Sequence, residues 1–137
     1  MTAVRKLPAL EPLTAFFWTS GADGQMRIQG CKACGKLQHP PLARCMACHS
    51  ADLAPQVVSG RGRVLSYTVN AQTWQKGMED PFVFAVIELE EQKGLYVFSN
   101  LLCPPEAAHS DMAVSVTFEQ NEDVWLPLFR PAEAVHG

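Results

Sequence analysis

The sequence predicts a mainly β protein in which a short N-terminal helix and a small cysteine-rich ribbon precede a five-stranded barrel. Three features predict it: an aromatic segment near the start, four cysteines between residues 31 and 48, and five strand-like segments after residue 57. The chain has 137 residues, 47% hydrophobic and 18% charged, which is typical of small globular domains. We divide it into an arm and helix (1–24), a ribbon (25–56) and a barrel (57–137).

The N-terminal segment predicts a loose arm followed by a helix. Pro12 suits a first helical turn, and Gly21 is a stop signal. A helix of about ten residues is not stable alone, so its aromatic face must be buried. Two alternatives stay open: Phe16, Phe17 and Trp18 pack on their own domain, or they bind a partner chain.

The stretch CKACGKLQHPPLARCMACHS contains two C-x-x-C pairs, Cys31 with Cys34 and Cys45 with Cys48. A disulfide framework needs an oxidising compartment, and a thioredoxin-like site needs a single pair that opens a helix. Two tight turns that each present two thiolates instead complete a tetrahedral site, for which zinc is favoured over iron. Four protein ligands leave no open position, so we expect one structural Zn²⁺ and no catalysis there.

The residues around these pairs fit the same interpretation. Gly35 follows the first pair and can take the positive φ that such a turn needs, whereas His49 occupies the equivalent place after the second pair. With four thiolates available, His39 and His49 are expected to be ordinary loop residues. Cys103 is expected to be a small buried hydrophobe rather than a nucleophile.

The chain start, MTAVRKLPALEPLTAFFW, imitates a signal peptide, but Pro8, Glu11 and Pro12 interrupt its apolar stretch. No apolar run approaches the roughly 20 residues that span a bilayer. We therefore expect a cytoplasmic protein with reduced thiols and no membrane partner.

The segments after residue 57 predict five strands. They are GRGRVLSYTVNAQ, FVFAVIELEE, GLYVFSNL, AVSVTFEQ and a short strand near WLPLFR, with PPEAAHSD suited to a helical turn between the third and the fourth. This is the order of an OB barrel, although spacing alone also allows another small barrel.

Taken together, these segments resemble the OB-fold family associated with acyl-CoA metabolism, formerly a domain of unknown function, in which a rubredoxin-like zinc ribbon precedes the barrel. The matching motifs are FFW, CKACG, HPP, CMAC, GRGRVLSYTV, VIELEE, SNL and LPLFRPA, in the family's order over nearly the whole chain. Two residues depart from it. Asn70 replaces a frequent His, and Asp111 replaces a Gly, which predicts a different turn there.

The resemblance implies a small accessory subunit and not an independent enzyme. It implies a thiolase-like enzyme or a hotdog-fold hydratase as partner, in fatty-acid, polyketide or steroid side-chain metabolism, and acyl-CoA as a ligand. A homodimer is a further arrangement that the sequence leaves open. An independent enzyme is disfavoured because Cys103 with His109 is the one conceivable catalytic pair, and nothing in the sequence brings the two together.

A single-stranded nucleic-acid-binding module is the alternative, because OB barrels and zinc ribbons often bind such strands. Residues 1–56 carry six Lys/Arg and three Asp/Glu, a net of +3, whereas residues 57–137 carry five and eleven, a net of −6. A barrel with a negative net charge is unfavourable for binding a polyanion such as nucleic acid. The barrel aromatics lie in apolar strands and are expected in the core; they are Tyr67, Phe82, Phe84 and Phe98.

Acyl-CoA would need cations for its phosphates and an aromatic or apolar surface for its adenine and acyl arm. The candidates lie in the ribbon, at the first barrel strand and in the loop that follows it: Lys36, Arg44, Arg61, Arg63, Trp74 and Lys76. Each charge could equally be a solvated surface residue. Trp74 could also fold back onto the barrel.

Overall fold

The computed structural model describes residues 11–70 and 82–132, which form a small sheet and a closed barrel preceded by one short α-helix. The predicted mainly β architecture is confirmed. Within these ranges no helix is long and apolar enough to cross a membrane. Trp74 and Lys76 lie outside the described residues.

The N-terminal helix is shorter than the sequence predicts. Helix α1 spans Ala15–Thr19 and continues into a 3₁₀ turn, Ser20–Asp23, that ends at Gly24 with φ 79°. The stop is therefore Gly24 and not Gly21. Gly21 is instead needed for close packing, because a Cβ there would collide with Phe118 and Trp125 of the barrel.

The ribbon is a three-stranded antiparallel sheet. Its strands are β1 (Met26–Cys31), β2 (Leu37–Gln38) and β3 (Leu53–Val58), in the order β2-β1-β3. Met26 pairs with Val58 and Cys31 with Leu53, so β3 belongs to the ribbon sheet along its whole length. The domain boundary drawn from the sequence at 56/57 falls inside this strand.

The barrel contains five strands, as predicted. They are β4 (Arg61–Asn70), β5 (Phe82–Leu89), β6 (Tyr96–Leu101), β7 (Ala113–Asn121) and β8 (Val124–Pro131). A 3₁₀ turn at Pro105–Ala107 joins β6 to β7. The closed order β4-β5-β6-β8-β7, with β6 parallel to β8, confirms the OB arrangement. The last strand has eight residues and is longer than expected.

One core joins the helix, the ribbon and the barrel. Phe17 is 5% exposed and packs with Met26 and Ile28 of β1 in the same cluster as the inward residues of the barrel. Burial of a Phe side chain contributes on the order of 1.5–3 kcal/mol, which holds a helix too short to be stable alone. The barrel residues of this cluster are Val64, Val83, Ala85, Ile87, Leu89, Leu95, Val97, Leu101, Val114 and Phe129.

Candidate metal centre

The four ribbon cysteines converge on one point. The sulfur atoms of Cys31, Cys34, Cys45 and Cys48 all lie within 4.8 Å of one another. The Sγ atoms of Cys31 and Cys48 are 3.6 Å apart, as are those of Cys34 and Cys45. Tetrahedral zinc with Zn–S bonds of about 2.3 Å separates its sulfurs by about 3.8 Å, so this geometry fits the ion.

Each pair lies on its own backbone turn, and the two turns are of the same kind. We call Cys31–Cys34 the first knuckle and Cys45–Cys48 the second. Gly35 donates its N–H to the Cys31 carbonyl at 2.8 Å, and His49 donates to the Cys45 carbonyl at 2.9 Å. Gly35 has φ 81° and His49 φ 67°. The histidine therefore takes the conformation that glycine takes in the first knuckle, and the two turns are equivalent.

The knuckle backbones favour the thiolate form of the first cysteine in each pair. The N–H of Cys34 lowers the pKa of Cys31, and the N–H of Cys48 lowers the pKa of Cys45 to about 6. For Cys48, the Ser50 N–H lowers the pKa, but the neighbouring thiols raise it, to about 12 overall. Without a cation, the cluster thus resists full ionisation, which a divalent metal would relieve.

The donor set fits one structural zinc. Among the described residues the cluster consists of cysteines alone, and four thiolates close the coordination sphere against substrate. His39 lies elsewhere, with its ring 4.5 Å from that of Phe17 and Nδ1 buried without a hydrogen-bond partner among the described residues. Burial lowers the pKa of His39 to about 4. The expectation that neither His39 nor the exposed His49 is a ligand agrees with this geometry.

Two of the three arginines predicted to bind a ligand, Arg61 and Arg63, are already paired with carboxylates. Arg61 Nε lies 3.1 Å from Glu90, and Arg63 Nη2 lies 2.9 Å from Glu88, while Nη1 of Arg63 bonds Asp111. These pairs border an open cavity of about 400 Å³. Its lining residues are Gly62, Arg63, Glu88, Leu89, Glu90, Gln92 and Lys93. A phosphate that enters here must compete with ionised carboxylates.

Two further predicted cations lie on the ribbon, whereas Lys76 is outside the described residues. Lys36 and Arg44 are exposed, and Arg44 donates one hydrogen bond to the His49 carbonyl at 3.1 Å. Neither makes an ion pair within residues 11–70 and 82–132. They are therefore more available to an anion than Arg61 and Arg63.

The turn at Asp111 has a left-handed backbone conformation. Asp111 has φ 64°, a left-handed conformation that glycine adopts easily. A glycine here would adopt this conformation at less cost, and the expectation that the turn differs from the family's stays a prediction. The carboxylate of Asp111 bonds Arg63 of β4.

The aromatic residues of the helix belong largely to this domain. Phe17 is core, and Phe16 and Trp18 are partly buried against the same cluster, with Trp18 edge-on to Phe17 at 4.8 Å. The sequence left open whether these aromatic residues pack on their own domain or bind a partner chain. Phe17 packs on its own domain. Contact of Phe16 and Trp18 with another chain stays a prediction.

The structure corrects the expectation that Phe84 and Phe98 are core residues. Phe84 is 42% exposed and Phe98 is 62% exposed, and their rings lie 6.3 Å apart on the outer face of β5 and β6. Tyr96, 38% exposed, extends this face. The alternation of side chains along each strand indicates this outward position in the sequence. Phe84 shares a face with the polar residue Glu88, and Phe98 shares a face with Asn100. Phe82 and Tyr67 are partly buried.

Cys103 and His109 show no catalytic arrangement. Cys103 is partly buried, and this burial raises the pKa of its thiol. His109 is exposed, and its Nδ1 lies 3.0 Å from the Ser110 carbonyl. No hydrogen bond joins the two in the part of the chain that the structure describes.

Comparisons with known proteins agree with this architecture. The family model for the rubredoxin-like zinc ribbon domain of ChsH2 matches residues 18–54, and that for the C-terminal OB-fold domain of ChsH2 matches residues 55–119. A chain described as "Ltp2-ChsH2(DUF35) aldolase" superposes with a TM-score of 0.82 at 32% identity. The alignment covers 91% of this chain and 98% of that one.

Two sequence relatives extend the comparison. A probable enoyl-CoA hydratase alpha subunit from Thermomonospora curvata is 34% identical over 132 residues, which is 95% of this chain and 41% of the relative. This chain thus spans about two fifths of that relative. The benzoylsuccinyl-CoA thiolase subunit BbsA of Thauera aromatica is 31% identical over 119 residues, 82% of this chain and 81% of BbsA. The chain belongs to the ChsH2 (DUF35) family, in which a rubredoxin-like zinc ribbon precedes an OB-fold domain.

Proposed function

We propose that this chain is a non-catalytic subunit of acyl-CoA metabolism that binds a thiolase-like or hotdog-fold hydratase enzyme. The observation that carries the proposal is the similarity to the chain of the Ltp2-ChsH2(DUF35) aldolase, of which the alignment covers 98%. That relative is named together with Ltp2, and other relatives are named as subunits of a hydratase and a thiolase.

A non-catalytic role is supported by the chemistry of the metal centre. Four thiolates coordinate the ion, so neither water nor a thioester carbonyl can reach it as a further ligand. The zinc therefore stabilises the ribbon, and the partner supplies the reacting groups.

The outer face of β5 and β6 is the surface that we propose for the enzyme partner. Phe84, Phe98 and Tyr96 leave aromatic area exposed there, and aromatic residues are enriched at protein interfaces. The two strands contain no Lys or Arg, and their one charged residue, Glu88, bonds Arg63. An aromatic face whose one charge is neutralised by an ion pair fits a protein surface better than a polyanion.

The helix offers a second, smaller contact. Phe16 and Trp18 keep partly exposed surface beside the buried Phe17. Because Phe17 anchors the helix to the core, the other two side chains are held in place before any partner binds.

Acyl-CoA is the ligand that we propose for the basic residues. Lys36 and Arg44 would contact its phosphates, because no carboxylate neutralises them within the described ranges. Arg61 and Arg63 can join only by exchanging a carboxylate for a phosphate. Trp74 and Lys76 complete the set proposed from the sequence. Such exposed contacts weaken as ionic strength rises through about 0.15 M, where the Debye length is roughly 8 Å.

One observation favours the nucleic-acid alternative. The second and third strands of an OB barrel form its usual strand-binding face, and Phe84 and Phe98 lie on those strands. A single-strand site also needs a basic groove that follows the phosphates. The barrel segment carries a net charge of −6 and no cation on those two strands, so this alternative ranks second.

Titrations separate the two ligand classes. Tryptophan fluorescence would be followed during addition of a medium-chain acyl-CoA and, separately, of a single-stranded oligonucleotide at low and high salt. The proposal predicts a salt-sensitive response to acyl-CoA that is lost in Lys36→Ala/Arg44→Ala and in Trp74→Ala, and none to the oligonucleotide. The matched control is Arg130→Ala, an exposed cation outside the proposed set. A response to the oligonucleotide alone would replace the proposal with the alternative.

A further inference from the structure

The two knuckles are held to the fold by different means. The first knuckle begins on β1: Cys31 pairs with Leu53 of β3, and Lys32 donates its N–H to the Asp52 carbonyl at 2.9 Å. The second knuckle lies in the loop between β2 and β3 and has no strand partner. Its backbone bonds are local, from Cys45 to Ser50 and from His49 to Cys45. Something other than a strand must position it.

Two buried glutamines position the second knuckle through hydrogen bonds of their side chains. Gln29 of β1 and Gln38 of β2 are opposite each other in the sheet and are 5% and 7% exposed. The Gln38 amide donates to Gln29 Oε1 at 2.7 Å. Gln29 in turn bonds both backbone groups of Leu42, with its Nε2 to the carbonyl at 2.8 Å and its Oε1 from the N–H at 2.9 Å.

Gln38 reaches the second knuckle itself. Its Nε2 donates to the Arg44 carbonyl at 3.1 Å, and its Oε1 accepts the Met46 N–H at 2.9 Å. Arg44 and Met46 flank Cys45, so one amide holds the backbone on both sides of a zinc ligand. Gln29 in turn accepts a hydrogen bond from Gln38, so the two side-chain amides together position the second knuckle, which no strand in the described ranges pairs with.

We propose that Gln29 and Gln38 are positioning residues that preorganise the second half of the zinc site. A metal site binds tightly when its ligands are already oriented, and loss of an outer hydrogen-bond partner costs about 10–100-fold in metal affinity. Removal of the Gln38 amide leaves the backbone around Cys45 without its partners, so Cys45 and Cys48 lose their orientation while the first knuckle keeps its strands. This inference concerns the zinc site alone and does not depend on the enzyme partner.

The test compares zinc affinity in near-isosteric variants of the full-length protein. Gln29→Met, Gln38→Met and the double variant would compete for zinc with a chromophoric chelator at neutral pH. Each single variant should bind zinc about 10–100-fold more weakly, and the double variant no more weakly than the worse single variant, because the two amides act as one unit. Wild-type affinity in Gln38→Met would overturn the proposal.

The matched control is Gln92→Met, which removes a barrel amide that bonds Leu37, the neighbour of Gln38, but not the second knuckle. Gln92→Met should leave zinc affinity unchanged. A loss of zinc affinity equal to that of Gln38→Met would show a general effect of ribbon stability and would overturn the proposal. If zinc-loaded Gln38→Met is unfolded by circular dichroism, Gln38→Asn replaces it, since the shorter amide cannot span the same groups.

Alkylation of the zinc-loaded variants provides a second readout that depends on position. Mass-spectrometric mapping should find Cys45 and Cys48 labelled faster than in the wild type, with Cys31 and Cys34 labelled at the wild-type rate. Equal acceleration at all four cysteines would overturn the assignment of the amide pair to the second knuckle.

Discussion

The side chain of Gln92 in the β5–β6 turn bonds both backbone groups of Leu37 in the ribbon. Its Oε1 accepts the Leu37 N–H at 2.9 Å, and its Nε2 donates to the Leu37 carbonyl at 2.7 Å. The amide thus pairs with strand β2 as a neighbouring strand would. It joins the ribbon to the barrel across 55 residues of sequence.

Gln92→Ala should therefore loosen the junction between the two units. Two hydrogen bonds of this kind contribute about 1–3 kcal/mol together, and urea denaturation followed by tryptophan fluorescence would measure that loss. Gln120→Ala is the matched control, since its exposed amide only donates to the Glu122 carbonyl at 3.3 Å; we expect a change within about 0.5 kcal/mol. Equal effects of the two substitutions would contradict the junction.

Removal of zinc should unfold the ribbon. Structural zinc contributes on the order of 10–16 kcal/mol of apparent binding free energy in small peptides, and the second knuckle has no strand to hold it without the ion. Elemental analysis should find one zinc per chain in the wild type and in Cys103→Ser, and a chelator should abolish the dispersed amide signals of Gln29 and Gln38. Protein purified without zinc or iron, with four freely titrating thiols, would show that the cluster is not a metal site.

His39 should make stability depend on pH. Burial against Phe17 lowers its pKa to about 4 from an unfolded value near 6.5, so the unfolded chain binds more protons in between. The stabilisation is complete above pH 6.5 and is lost as pH falls through about 4, on the order of 3 kcal/mol in all.

His39→Phe, which keeps an aromatic ring on Phe17, should flatten this dependence. Melting temperatures of both proteins would be compared at each pH at which a zinc-sensitive dye shows that the metal is still bound. Parallel pH profiles of the two proteins would remove His39 from the explanation.

The left-handed turn at Asp111 makes a prediction about backbone strain. Asp111→Gly and Asp111→Ala both lose the ion pair with Arg63, so the difference between them isolates the backbone. Because φ is 64°, the glycine variant should be more stable by about 1 kcal/mol, measured by chemical denaturation. Equal stability would mean that the turn relaxes to another conformation in solution.

The ribbon and the strand order could be predicted from the sequence because both depend on short-range patterns. The spacing of Cys31, Cys34, Cys45 and Cys48 determines the cluster, and alternating strands with a helical turn after the third determine the barrel. The predicted end of the helix was wrong. Gly21 is required because a side chain there would collide with Phe118, almost a hundred residues away in the sequence.

The surface of the barrel was harder to predict for the same reason. FVFAV is apolar on both faces, so Glu88, on the same face as Phe84, is the one sequence signal that this face points outward. Closure of the barrel then buries Val83 and Ala85 on the other face. The bonds from Gln38 to the second knuckle likewise depend on the pairing of β1 with β2, since a polar residue in a short strand carries no local signal of what it bonds.

We propose that the β5–β6 face holds this chain on an enzyme subunit. The most direct measurement is the mass of the assembly, by analytical ultracentrifugation, after co-expression with a thiolase-like or hydratase subunit from the same organism. The wild type should form a stable hetero-oligomer that the purified chain does not form alone. Phe84→Ser/Phe98→Ser should abolish it without lowering the melting temperature, whereas Leu65→Ser, also exposed on the barrel, should not. A double variant that still assembles like the wild type, or a purified chain that turns over acyl-CoA by itself, would contradict the account.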